Sequence, residues 1–509
     1  MIEFTYKPEG VVMMNKQYTQ PFDKGTLDCE RFRIPALYTL ADGSVLAGAD
    51  VRYGHGSDSP NNIDISLAHS ADGYTDWQYT IVNHFDDYAD GVTDKDSASF
   101  IDSAIVQTKT GRIIVIADMF PSQGGYLQAK KGTGFADIDG KKRLLLTSGK
   151  NSENLSTFGY YVGDMTDGKA PVFNCKTKEK TEYCVDKNFR LYKNGAPVFC
   201  TQKGADGVKI QQNVFYSAAE LQMYRTVYLC MRYSDDLGKT WSSPVVLSDQ
   251  LKKDNENFFG ICPGRGKVIS YNGKERILFC VYNNHGLIDD PICENASVIY
   301  SDDNGMTWHR SKKIPLRAGL TKTSESQLVE LQADGKKVLR MYARNNSNYI
   351  AFADSTDGGQ NWTQFKADPA LEGTRNCMVS FLDTNKKIDG KQVILSSAGG
   401  SIPARADGVL RVGLVEKNTD ITWIHTYRVN QGFYGYSCLT ELSDGNFGLL
   451  YEDEPAHIQY MIFSVSDKGE ITEINGNNIS FVEKYTAKEQ KIIKSKRRNA
   501  KILFKLGLR

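Results

Sequence analysis

One eight-residue pattern occurs three times in this chain, and a degraded fourth copy precedes them. Ser234–Trp241 and Ser301–Trp308 both read Ser-x-Asp-x-Gly-x-Thr-Trp, Ser355–Trp362 lacks only the Thr, and Ser70–Trp77 keeps Ser, Asp and Trp. The full copies follow at 67 residues (Ser234 to Ser301) and 54 residues (Ser301 to Ser355), the signature of a repeat architecture. Each copy is a turn: Ser and Asp side chains can bond backbone amides, Gly takes a positive φ, and Trp covers the strand behind. Short β-prone runs lead in, Val298-Ile299-Tyr300 before one copy and Ile350-Ala351-Phe352-Ala353 before another, as expected of hairpins. A unit of roughly 50 residues holding several strands fits one four-stranded propeller blade. The expected fold is therefore all-β, a six-bladed β-propeller whose site lies at the central channel.

The interval from Ser70 to Ser234 is 164 residues. Even after one interval without a box, roughly 100 residues remain, enough for a small inserted domain. Residues 121–212 fit it: Gly-rich at first (Gly124, Gly125, Gly132, Gly134), then charged, with Cys175, Cys184 and Cys200 close together. Propeller pattern resumes at Asn213-Val214-Phe215-Tyr216 and Val227-Tyr228-Leu229-Cys230. The expected division is 1–120 and 213–483 as propeller, 121–212 as insertion, and 484–509 as a basic tail.

With 40% hydrophobic and 24% charged residues, the 509-residue chain has a globular composition. It has no apolar run of ~18 residues that would cross a membrane as a helix, and no secretory leader is read at Met1–Asn15. Ten cysteines without a CxxC pair argue against a metal cluster or a disulfide framework; Cys230, Cys280, Cys377 and Cys438 read as small buried apolar residues. No metal or organic cofactor is expected. The net charge of +1 hides ten Lys or Arg against Glu489 alone in 484–509. Basic charge confined to one terminus excludes nucleic acid as a partner of the folded body. That tail also carries Ile492, Ile493, Ile502, Leu503, Phe504 and Leu506, which makes it a solvated or docked terminus or a weak contact to anionic surfaces.

Near the start stands Phe32-Arg33-Ile34-Pro35, and 25 residues after Arg33 comes Asp58 in the loop Gly56-Ser57-Asp58-Ser59-Pro60. Phe-Arg-Ile-Pro followed by several such boxes resembles the bacterial-type exo-sialidases, from about Thr26 to Val482 apart from the insertion. The resemblance implies three arginines gripping the substrate carboxylate: Arg33, Arg344 in Tyr342-Ala343-Arg344-Asn345, and Arg405 in Ile402-Pro403-Ala404-Arg405. Guanidinium groups suit that task because they bind carboxylates bidentately and stay charged. It also implies Tyr436 as nucleophile with Glu325 as its base, and Asp58 as the acid/base. A carboxylate attacking a carbon that itself bears a carboxylate meets like-charge repulsion; a phenol that hands its proton to Glu arrives neutral. Arg52 and Asp102 resemble residues contacting the sugar hydroxyl and N-acetyl edge.

Glu330 rivals Glu325, but residues five apart on a strand face opposite ways. The interval from Glu325 to Arg344 is long for the pattern, which points to an enlarged turn at Ala333–Lys337. The expected activity is retaining exo-α-sialidase acting on sialylated glycans (glycoproteins, gangliosides, sialyl-oligosaccharides). Two alternatives stand beside it: an intramolecular trans-sialidase releasing anhydro-sialic acid, and a non-catalytic sialoglycan-binding propeller, which would have no need of the Tyr436 and Glu325 pair. In internal-transfer relatives the resemblance implies a bulky aromatic, often Trp, downstream of the tyrosine. Here four of five Trp belong to boxes, Trp423 precedes Tyr436, and Leu450–His457 offers acids and His457 but no Trp. Free sialic acid is the expected product. Substrate logic places such an enzyme outside the cell or on its surface; the lack of a leader in this chain leaves the cytoplasm open.

Overall fold

All four boxes occupy the same place in the fold, the turn between the third and fourth strands of a blade. In the copy at 301–308, Asp303 Oδ1 accepts from the Thr307 amide (2.9 Å) and the Ser301 hydroxyl (2.8 Å), and Oδ2 accepts from the Thr307 hydroxyl (2.6 Å). Gly305 at φ 85° donates its amide to Ser301 Oγ at 3.0 Å. Trp308 Nε1 donates to the Gly305 carbonyl at 3.1 Å while its ring packs 5.9 Å from that of Phe279. The copies at 234 and 355 repeat these bonds, Asn361 Nδ2 standing in for the Thr hydroxyl at 2.6 Å from Asp357.

The computed structural model describes residues 18–474 except 90–91, 93–95, 150, 287–293, 374–375 and 401–403. Six antiparallel sheets follow one another around a ring. Blade 1 holds Phe32–Thr39, Val45–Arg52, Ile63–Ser70 and Gln78–Asn83; blade 2 holds Ser99–Gln107, Ile113–Phe120, Tyr228–Ser234 and Val245–Val246. Blade 3 is built on Phe258–Ile261, Lys274–Asn284, Asn295–Ser301 and His309–Arg310, and blade 4 on Thr323–Ala333, Lys336–Asn345, Tyr349–Ser355 and Lys366–Glu372. Blade 5 runs from Ser380–Ile388 to Ile421–Arg428, and blade 6 from Ser437–Glu441 to Ile471–Glu473. Blades 1 and 6 close the ring: the Thr39 amide donates to Thr440 Oγ1 at 3.1 Å, and Trp77 stands edge-on to Tyr460 at 5.8 Å. The second strands Val45–Arg52 and Ile113–Phe120 and the third strand of blade 5, Gly408–Val415, are buried throughout, because both faces are covered by neighbouring blades.

The insertion leaves the second strand of blade 2 at Phe120 and returns at Tyr228, which pairs with Met119. Its sheet runs from Phe135–Ile138 to Gln222–Met223, the last strand pairing with Leu146 and Thr147. The sequence boundary at residue 212 is thus too early. Asn213–Tyr216 belongs with the insertion, since Val214 bonds the Phe189 carbonyl and packs with Val172, Val185 and Leu191. No box-less blade intervenes either: Ser70 and Ser234 lie in consecutive blades, and the insertion accounts for their separation. Cys175, Cys184 and Cys200 are free thiols, as are the buried Cys230, Cys280, Cys377 and Cys438. The basic tail at 484–509 lies outside the described residues. Among the described residues no helix is long and apolar enough to cross a membrane.

Trp308 is 3% exposed, so Trp308→Ala should cost ~3–5 kcal/mol by leaving a cavity. Asp303→Ala removes acceptors for several turn bonds and should cost ~1–3 kcal/mol. Urea titration of both variants checks the ranking; equal or reversed losses would contradict a turn stabilised chiefly by its buried indole.

Candidate active site

Irregularities of the first strands aim side chains into the channel. The ladder slips between Arg33 and Ala36 in blade 1, between Ile101 and Ala104 in blade 2, and between Thr323 and Ser326 in blade 4. Ile34 and Asp102 both sit at φ 60°, for the β-branched Ile34 an outlying conformation. Such bulges re-aim side chains beside functional sites, and here they bring Arg33, Asp102 and Glu325 to one cavity. It measures about 360 Å³ and is also lined by Asp58, Arg344, Arg405 and Tyr436.

The three arginines stand together around Tyr436. The guanidinium carbons of Arg33 and Arg405 lie 5.7 and 5.1 Å from its ring centre, and Arg344 Nη1 donates to its hydroxyl at 2.8 Å. Arg33 is held by Glu452, whose Oε1 accepts from Arg33 Nε at 3.0 Å. The same carboxylate accepts from the amides of Ile34 (3.0 Å) and Tyr436 (3.1 Å). Gly435 is needed beside it, since a Cβ there would stand 2.1 Å from Glu452 Oε2. Glu452 was not singled out in the sequence, although it lies in the acidic run Glu452-Asp453-Glu454; only its burial separates it from its neighbours.

Tyr436 Oη donates to the Glu325 carboxylate, 2.5 Å from Oε1 and 2.7 Å from Oε2, and Glu325 also pairs with Arg344. Burial pushes the phenol well above its ordinary pKa and Glu325 adds to that, while Arg344 and Arg405 oppose it. The resting phenol therefore keeps its proton, and ionisation requires a base in contact. Glu330 is turned outward to Lys337 and Gln332. The hairpin joining Glu325 to Arg344 is long, but its turn is tight: Ala333 pairs with Lys336 across Asp334-Gly335. Extra strand length, not an enlarged turn, makes up the interval.

Asp58 faces the cavity from the loop after blade 1's second strand, its side chain 63% exposed. Burial of the loop raises its pKa, but Arg52 and Arg33 outweigh this and hold it below the usual carboxylate value. Arg52 Nη1 donates to Asp58 at 2.7 Å and to the Gly56 carbonyl at 2.9 Å, and Nη2 pairs with Asp50 at 2.7 Å. Arg52 is fully buried and is not among the residues lining the cavity; its two terminal nitrogens are bonded to Asp50, Asp58 and the Gly56 carbonyl. Asp102 lines the cavity, and its amide bonds Asp50 at 3.1 Å. Burial, then Asp50 and Glu325, drive Asp102 well above the ordinary carboxylate value. Asp118, unremarked in the sequence, lines the same floor and is likewise raised, chiefly by burial. Among the described residues no cluster of His, Cys, Asp or Glu could hold a metal ion.

Comparison with known proteins places these residues in context. The BNR repeat-like domain family matches residues 201–449. The chain is 34% identical over 460 residues to an anhydrosialidase of Macrobdella decora, covering 83% of this chain and 58% of that protein. It is 33% identical over 478 residues to a sialidase of Clostridium perfringens, covering 89% and 92% respectively. Among solved structures, the intramolecular trans-sialidase from Ruminococcus gnavus in complex with oseltamivir carboxylate superposes with a TM-score of 0.78 at 32% identity, over 89% of this chain and 98% of the other.

Breaking a buried ion pair from one side leaves the other charge uncompensated. Glu452→Gln should therefore destabilise the protein by ~3–5 kcal/mol, read by denaturant unfolding. A loss below ~1 kcal/mol would show that Arg33 does not depend on this carboxylate.

Proposed function

The chain belongs to the sialidase family, and we propose that it is a retaining exo-α-sialidase that hydrolyses terminal sialic acid from glycans through a covalent tyrosyl intermediate. One observation carries the reading: the contact of Tyr436 Oη with both oxygens of Glu325, in a cavity that Asp58 faces from the side. A binding module has no use for a buried phenol in contact with a carboxylate.

The chemistry follows from the charges. Arg33, Arg344 and Arg405 hold the substrate carboxylate and set its anomeric carbon against Tyr436. Glu325 takes the phenol proton as the oxygen attacks, and Asp58 protonates the departing glycosidic oxygen. For that step Asp58 must carry a proton. Arg52 and Arg33 favour its ionised form; an arriving carboxylate draws on Arg33 and adds negative charge nearby, which raises the Asp58 pKa. In the second half Asp58 removes a proton from water, the hydroxide attacks the anomeric carbon, and the phenolate leaves and recovers its proton from Glu325. Substrates on this reading are sialylated glycoproteins, gangliosides and sialyl-oligosaccharides.

Water is proposed as the acceptor because the Asp58 side chain is largely exposed and none of the chain's five Trp, all of them among the described residues, lines the cavity. His457 turns to Asp453 and borders a different cavity. A second reading rests on likeness to the leech anhydrosialidase and the Ruminococcus gnavus enzyme: a hydroxyl of the substrate's own side chain attacks the tyrosyl intermediate, releasing an anhydro sugar.

A 3-fluoro-sialosyl fluoride should label Tyr436, and Tyr436→Phe should fold normally with kcat lowered by at least ~10²-fold. Peptide mapping that puts the label elsewhere overturns the nucleophile. Mass spectrometry of the product from sialyllactose should give free sialic acid; a dominant ion one water lighter decides for internal transfer.

A further inference from the structure

A groove of about 450 Å³ lies between the insertion and the outer strand of blade 1, and it shares no lining residue with the cavity of Tyr436. It backs onto blade 2. Phe100 and Met119, paired across the first two strands, line the groove, whereas their neighbours Ile101, Asp118 and Phe120 line the active site, as alternation along a strand requires. Phe85 and Phe100, stacked at 4.6 Å, join Phe189 of the insertion in an apolar floor.

The charges of the groove are out of balance. Arg232 enters it from the third strand of blade 2, and its bond from Nη1 to the Val82 carbonyl engages only part of the guanidinium. Its Nε is buried without a partner, and among the described residues no carboxylate pairs with it. Burial lowers its pKa, and only the Cys230 thiol opposes this. Asp86 is the one carboxylate lining the groove among the described residues, and His84 engages it. Asp86 Oδ1 lies 2.6 Å from His84 Nε2, and Asp64 Oδ2 lies 2.6 Å from Nδ1. Burial works against a charged imidazole there, but the two carboxylates prevail and hold its pKa up at about 11, so His84 is cationic and neutralises Asp86. Arg190 adds a second guanidinium at the rim, exposed and without an ion pair among the described residues; its amide is tied to Asp186 at 2.9 Å. Tyr216, 3% exposed, stands in the same wall; its Oη accepts from the Asp86 amide at 2.9 Å and keeps its own proton to donate. A guanidinium drawn out of water without an anion is costly, and a carboxylate entering the groove supplies one.

We propose that this groove is a second sugar site, in which Arg232 and Tyr216 take the carboxylate of an acidic sugar and the apolar floor takes its ring face or acyl group. The sialidase reading identifies the sugar as a terminal sialic acid, and the proposal rests on that reading to this extent; the carboxylate chemistry alone also admits a uronic acid. Held there, the enzyme stays on a glycan-bearing surface while the cavity of Tyr436 turns over, a gain in effective concentration.

The test uses the full chain carrying Tyr436→Phe, saturated with a 2,3-dehydro sialic acid analogue so that the first cavity is filled. Calorimetric titration with a methyl α-sialoside should then give one further binding event, and neutral methyl β-galactoside should give none. Arg232→Gln should raise the Kd of that event by roughly tenfold or more. Arg190→Glu, at an exposed position whose backbone bonds are kept, should weaken it in the same direction and serves should Arg232→Gln fold poorly. No further event up to about 10 mM ligand, an equal event with the galactoside, or a Kd unmoved by both substitutions overturns the proposal. A further event with methyl β-glucuronide alone upholds the carboxylate site and overturns sialic acid as its sugar. Failure of the dehydro analogue to bind overturns the sialidase reading instead, and the glucuronide titration then decides the groove by itself.

Discussion

The buried carboxylate of Glu452 is the interaction on which the site depends. It joins the second strand of blade 6 to the bulge of blade 1 through Arg33 and Ile34, and it caps the amide of Tyr436 at the start of blade 6. One anion thus fixes the guanidinium of Arg33 and the backbone of Tyr436 at the seam where the ring closes. Taking a carboxylate out of water is costly unless its lone pairs are filled. Two amides and a guanidinium fill them here.

The same balance runs through the rest of the channel. Arg52 is buried between Asp50 and Asp58, and Arg344, partly exposed to the cavity, donates to Glu325 and Tyr436. Positive charge in a cavity with low-dielectric walls draws an anionic substrate and is worth more there than in water. The buried acids of the floor, Asp102 and Asp118, have pKa values pushed well up by burial, which favours their neutral, hydrogen-bond-donating form and lessens the negative charge in the cavity.

Rigidity for this arrangement comes from the periphery. The boxes lock the outer hairpins of blades 1 to 4 with bonds inside a single turn. The bulges on the first strands of blades 1, 2 and 4 then turn Arg33, Asp102 and Glu325 inward together. The insertion fits between paired strands of blade 2 without breaking their ladder, because a loop's closure cost grows only slowly with its length.

The sequence by itself determined the repeat, the propeller and most of the residues that meet in the cavity. Box chemistry is local, and Ser, Asp, Gly and Trp at fixed spacing close a turn whatever surrounds them. The arginines, Tyr436 and Glu325 were legible through their motifs. Only the tertiary structure decided that Glu452 matters, that Arg52 is buried behind Asp58, and where the insertion ends. Arg33 and Glu452 are 419 residues apart, and no periodicity reports a contact made by closing a ring. Nor does spacing show a bulge, which leaves strand propensity intact and changes only the face a side chain occupies. Burial separates Glu452 from Glu454 and Glu325 from Glu330, and burial is a property of the assembled blades.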